Sequence, residues 1–158
     1  PQDIYLINDS IKKNIAIGIE ESEVDEDILN QAIKIARLDK FILNLPEGIN
    51  TKVGERGIKV SGGEKQRISI ARAFYNKPSI IIMDEATSSL DNLTEKEFME
   101  SIERVKENST LIIIAHRLST IQQCDFVYLL SEGAIKDKGK YEELIIRNEE
   151  LNAKKELK

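Results

Sequence analysis

Two short, wholly apolar runs, Ile80–Met83 and Leu111–Ile114, constrain this 158-residue chain more than any other feature. Both are too short for an ordinary helix and rich in β-branched isoleucine, so each reads as a buried strand, over 79–84 and 110–115. Between them Phe98, Ile102 and Val105 recur at helical spacing, predicting a helix over about 93–107. Strand, helix, strand predicts an α/β fold with a mostly parallel sheet, the 110–115 strand buried on both faces. The first strand ends on Asp84 and Glu85; the second is followed by His116, the single histidine.

Upstream, Ser61-Gly62-Gly63-Glu64 opens an amphipathic helix that runs to a turn at Asn76-Lys77-Pro78. Serine with glutamate three residues on is a capping box, and on that reading the tetrapeptide only starts a helix. The glycines weaken the first turn and leave bare amides at the positive end of the helix dipole, where an anion binds. Both readings stand on these residues alone. The acids at 84 and 85 are likewise open. Neighbouring side chains of a strand point to opposite faces, so both serve one site only if the strand ends near Asp84 and the backbone turns. Then one can hold magnesium through water and the other orient or deprotonate a water; otherwise they cap a helix. His116 is either a satisfied structural residue or a third group at the carboxyl ends of the strands, where α/β sheets bind ligands.

The first third is polar-faced and helical. Asn8-Asp9-Ser10 can cap a helix over 10–16, and Ile28, Leu29, Ala32, Ile33 and Ala36 predict one over 25–37. A short helix over 39–44 stops at Leu45-Pro46. Pro46, Gly48, Gly54 and Gly57 make 46–60 an irregular loop, so this part is expected to be a helical subdomain, not a sheet. After the second strand come a short helix near 118–123, strands 126–130 and 134–138 about a turn at Ser131-Glu132-Gly133, and a charged helix from about 140. The expected division is 1–75 and 76–158.

Hydrophobic residues make up 41% of the chain, enough for a core, and the net charge of −5 disfavours nucleic acid as a partner. No apolar run is long enough to span a bilayer. Cys124, the only cysteine, excludes an intramolecular disulfide and reads as a small buried or half-buried apolar residue. The opening Pro1-Gln2-Asp3, without methionine, reads as a piece of a longer polypeptide.

Together these segments resemble the ATPase domain of ATP-binding-cassette (ABC) exporters. Pro1-Gln2-Asp3 is similar to the Q-loop, VGERG at 53–57 to the loop before the signature, and VSGGE at 60–64 to the signature itself. IIIMDE at 80–85 resembles Walker B, SSLD at 88–91 the D-loop, and AHRLST at 115–120 the switch-histidine loop. The resemblance implies a partial P-loop NTPase-like fold with ATP and Mg2+ as ligands. It implies that Gln2 senses magnesium and the attacking water, that Asp84 holds magnesium through water, and that Glu85 is the general base. His116 contacts the γ-phosphate. Ser61, Gly62 and Gly63, with Glu64 beside them, hold the γ-phosphate of ATP on an opposite subunit, and Asp91 couples the two sites. Glu55 and Arg56 meet the membrane domain.

Two departures lie in the signature: Val60 replaces the usual leucine and Glu64 the usual glutamine. The glutamate, at N3 of a capping box, is expected to turn back onto its own backbone. A larger one is that nothing fits the P-loop pattern G-x-x-x-x-G-K-[ST]; the only Gly-Lys, at 139–140, has the wrong spacing. The expectation is therefore weak or no ATP binding and no turnover by this chain alone, and self-association through exposed strand edges and faces. The implied partners are a second nucleotide-binding domain, head to tail, and a transmembrane domain in the same full-length chain, at the cytoplasmic face of the membrane. Two alternatives share some motifs. A chromosome-organising ATPase lobe would be preceded by heptads, which residues 4–50 lack. A catalytically inactive regulatory half would not be expected to keep Glu85 and His116.

Overall fold

The computed structural model describes residues 4–55, 58–86, 92–103 and 109–148 and divides into two compact units, up to Ile114 and from Ala115. The first unit carries helices α1 (Ile11–Ile15), α2 (Glu26–Ile35), α3 (Asp39–Leu43), α4 (Gly62–Tyr75) and α5 (Asn92–Glu103), with strands β1 (Asp9–Ser10), β2 (Lys52–Val53), β3 (Ile80–Asp84) and β4 (Thr110–Ile114).

Helix α4 is the centre of this unit. Ile68, Ala71, Phe74 and Tyr75 recur at spacings of three and four, all buried, and α4 packs against α1 and α2. Ile11, Ile15 and Leu29 complete the same core. Each such aliphatic side chain contributes about 1.5–3 kcal/mol by leaving water. The helix stops where Lys77 takes a left-handed φ of 44° and Pro78 cannot continue it.

Asn14 and Arg72 tie buried polar groups of this region to backbone carbonyls, whereas Arg67 Nε of α4 is buried without a hydrogen-bond partner among the described residues. Asn14 is wholly buried; its amide donates to Ile7 O and Ser10 O and accepts from Ile7 N at 2.9 Å. Arg72 of α4 donates through Nε to Asn14 O at 2.7 Å and through a terminal nitrogen to Tyr5 O, which pins residues 5–14 to α4. Burial pushes the Arg72 pKa down, yet a guanidinium stays charged at neutral pH. Helix α2 ends in a Schellman motif without glycine. Arg37, at φ 54°, leaves Leu38 N donating to Ile33 O, and its own side chain donates to Glu97 O on α5.

Two expectations are corrected. The 46–60 loop contains β2, which pairs antiparallel with β1, so a small sheet stands where only helices were expected. Two-residue strands leave no periodicity to read. Gly54, at φ 104°, closes this turn; a Cβ there would come within 3.1 Å of Ile7 O and Asn8 Cα. The second correction concerns β4. It pairs with β3 in parallel, Ile80 with Thr110 through Asp84 with Ile114, as neighbours in one sheet. It is not buried on both faces. Ile81 and Met83 enter the core, whereas Ile80, Ile82, Ile112 and Ile114 are each 48% exposed or more. Among the described residues nothing encloses that face.

The second unit holds α6 (Leu118–Ile121), strands β5 (Val127–Ser131) and β6 (Ala134–Gly139), and α7 (Tyr141–Arg147). The strands form the expected hairpin as a two-stranded sheet of its own. Its two-residue turn, Glu132-Gly133, has positive φ at both positions, the type I′ geometry that matches strand twist. Leu118, Tyr141 and Ile145 make a small core. Asn148 and Arg147, at the end of α7, donate to the Asp137 carboxylate of β6, Asn148 Nδ2 at 2.8 Å. Cys124 is half-buried and its Sγ donates to Thr120 O. Among the described residues no helix is long and apolar enough to cross a membrane.

Candidate functional site

Chemistry-bearing residues of the first unit gather at the start of α4 and the carboxyl end of β3. At α4 the capping box is complete. Ser61 Oγ accepts from Glu64 N at 3.3 Å, and Glu64 Oε2 accepts from Ser61 N at 2.6 Å. The glutamate is thus turned back onto its own backbone, which takes its charge off the open side of the turn. Gly62 and Gly63 are the first two helical residues, whose N–H groups have no partner within a helix. Ser61 and Gly62 are exposed, and a Cβ on Gly62 would meet nothing within 4 Å. An anion therefore has bare donors, the positive dipole end and free space.

β3 ends on Asp84 and the chain turns at once. Glu85 sits at φ 47°, a conformation that costs a non-glycine residue roughly 1–3 kcal/mol and persists only where surroundings enforce it. Glu85 N donates to Ile114 O of β4 at 3.0 Å, and Glu85 O accepts from Gln66 Nε2 of α4 at 3.4 Å. This is the backbone turn that lets neighbouring acids share one side of the strand end. Asp84 is exposed and Glu85 half-buried. Asp84 also borders a cleft between α4 and β3, lined with Gln66, Ser69, Ala73, Ile82 and Ala86.

Among the described residues no cluster of three or more His, Cys, Asp or Glu side chains could cage a metal. A lone exposed carboxylate fits magnesium, which keeps most of its waters and arrives with phosphate oxygens as its other ligands. His116 opens the second unit, two residues beyond Ile114 and exposed. Gln2 and Asp91 lie outside the described residues, as do Arg56 and the 87–90 part of the D-loop-like stretch. Sequence reasoning missed Gln66. It is an ordinary polar residue in the first turns of a helix, and only the packing of α4 beside β3 gives it a role.

Comparison with known proteins shows the family and the fold. The family model described as ABC transporter matches residues 2–88. The chain is 42% identical over 148 residues to an ATP-dependent lipid A-core flippase of Cupriavidus pinatubonensis, covering 93% of this chain and 25% of that protein. It is 45% identical over 144 residues to the heterocyst differentiation ATP-binding protein HepA of a Nostoc species, covering 91% and 23%. A solved structure of a bacterial Atm1-family ABC exporter with ATP bound superposes with a TM-score of 0.86 at 41% identity, over 98% of this chain and 27% of that one. The chain thus spans about a quarter of the length of these two relatives.

Proposed function

This chain belongs to the ABC transporter family, and from that premise we propose that it forms part of the ATP-hydrolysing engine of an exporter. The fold is that of the exporter's ATP-binding segment. In the proposed reaction Asp84 holds Mg2+ through water, and the ion supplies charge neutralisation on the phosphates. Glu85 takes a proton from the attacking water, and His116 contacts the γ-phosphate. Ser61 Oγ and the Gly62 and Gly63 amides grip the γ-phosphate of ATP held mainly by a second copy of the domain, head to tail. Gln2 and Asp91 relay between site, partner and membrane domain. These roles divide the chain into residues 1–75, which present the phosphate grip, and residues 76–158, which present the base and metal ligand.

One observation carries this reading. The Gly62 and Gly63 amides at the start of α4 and the turned acids of β3 stand in one unit, linked by the Gln66–Glu85 bond. Acid-to-amide exchange at the base tests it. Glu85→Gln in the full-length polypeptide is expected to lower MgATP hydrolysis at least about 100-fold, the lower end of what a general base contributes, without abolishing ATP binding. Unchanged turnover would reject the assignment. The head-to-tail arrangement is tested by mixing Ser61→Arg and Glu85→Gln subunits. A mixed dimer then contains one site with both groups intact and regains hydrolysis, whereas groups serving one site within a subunit give none. The 158-residue chain alone is expected to show no turnover.

A further inference from the structure

We infer that Gln66 is a positioning residue for the base, holding the left-handed Glu85 peptide in place from the signature helix. The inference rests on the reading of Glu85 as general base and adds to it a residue with no assigned role. Glu85 at φ 47° occupies backbone space that a side-chain-bearing residue leaves unless held. Its backbone is held at both ends of the residue. Its N–H donates to Ile114 O, the last residue of β4, at 3.0 Å. Its C=O accepts from Gln66 Nε2 at 3.4 Å. The first bond continues the β3–β4 ladder and ties the base to the sheet. The second comes from another layer of the fold.

Gln66 lies five residues after Ser61 on α4, so the helix whose start offers amides to an anion also carries the donor that fixes Glu85. Ile68 and Ala71, wholly buried just beyond Gln66, make this part of α4 rigid. A shift of the helix start is therefore felt at the Glu85 carbonyl. Removal of the donor takes away the hold from α4, so that Glu85 visits the ordinary right-handed or extended regions and its bond to Ile114 O opens more often. The carboxylate then points to the reacting water for only a fraction of the time. Binding of MgATP, which uses other groups, does not depend on that rotation.

Two variants and two measurements on the full-length polypeptide decide the matter. Gln66→Met keeps the length and loses the donor; Gln66→Lys keeps a donor of similar reach. With Gln66→Met, kcat is expected to fall about tenfold, the rate equivalent of one hydrogen bond's net worth, with KM for MgATP unchanged. Gln66→Lys is expected to recover most of kcat. Independently of turnover, exchange of the Glu85 amide hydrogen is expected to be about tenfold faster in Gln66→Met than in the natural protein. Unchanged kcat and exchange in Gln66→Met overturn the inference, and so does a raised KM at unchanged kcat. If Glu85→Gln leaves hydrolysis intact, the reading of Glu85 as base has failed instead, and the exchange rates alone still decide whether Gln66 holds this peptide.

Discussion

The helical region around α4 and the β3–β4 sheet use much the same apolar vocabulary, isoleucine above all, and end in opposite conditions. Ile11, Ile15, Leu29 and Ile68 are wholly buried, while Ile82 is 67% exposed and Ile80 58%. In the helical region Asn14, Arg72 and Arg37 each donate to backbone carbonyls of a neighbouring segment, and Arg67 Nε is the buried exception among the described residues. The sheet has one dry face and one face of isoleucines in solvent. The difference teaches that an apolar strand is buried by what packs on it, not by its own hydropathy. A helix with one apolar stripe needs one neighbour. A strand with apolar residues on both sides needs two, and β3 and β4 have one among the described residues.

The sharpest way to break this contrast is a pair of truncations in the 158-residue chain followed by urea denaturation. Ile68→Ala is expected to cost about 2–5 kcal/mol, because it opens a cavity in a packed core. Ile82→Ala is expected to change stability by only about 0.5 kcal/mol, as for other exposed positions. Equal costs would mean that the open face is covered in solution. The next test reads association. The apolar face is expected to draw the isolated chain into oligomers, and Ile82→Lys with Ile112→Lys to shift it toward monomer in light scattering, by charge repulsion across paired strands. A clean monomer before substitution would contradict this use of the face.

The smallest effect lies in the second unit, whose closure is electrostatic as well as apolar. Asn148, the Lys138 amide and Arg147 hold the Asp137 carboxyl below its ordinary value of 3.8. A lowered folded-state pKa stabilises above 3.8 and the contribution is lost as pH falls through the folded value. Exchange protection of the α7 amides is therefore expected to weaken below that pH, and Asp137→Asn to remove the dependence.

Much of the fold was legible because local chemistry wrote it plainly. Ser61 and Glu64 announce a helix start, Asn76-Lys77-Pro78 a stop, and Ser131-Glu132-Gly133 a hairpin turn; each is where expected. The parallel pairing of β3 and β4 follows from strand, helix, strand. The β1–β2 pair was not legible, since strands of two residues have no pattern. That apolar strand faces stand exposed was expected; which side of β4 does so was not legible, because an apolar run reports what a strand is suited to, not what covers it.

The site divides in the same way. By itself the sequence determined the residue types and their order: glycines at a capped helix start, two acids ending an apolar strand, a histidine after the next. Those depend on near neighbours in the chain, where backbone geometry is fixed by a few residues. Only the tertiary structure decided that Glu85 turns left-handed and that Gln66 reaches its carbonyl, nineteen residues away. It also decided that Arg72 closes over Asn14, fifty-eight residues away. A hydrogen bond between distant segments depends on where packed helices and strands place their atoms to a fraction of an ångström, and no local pattern carries that information.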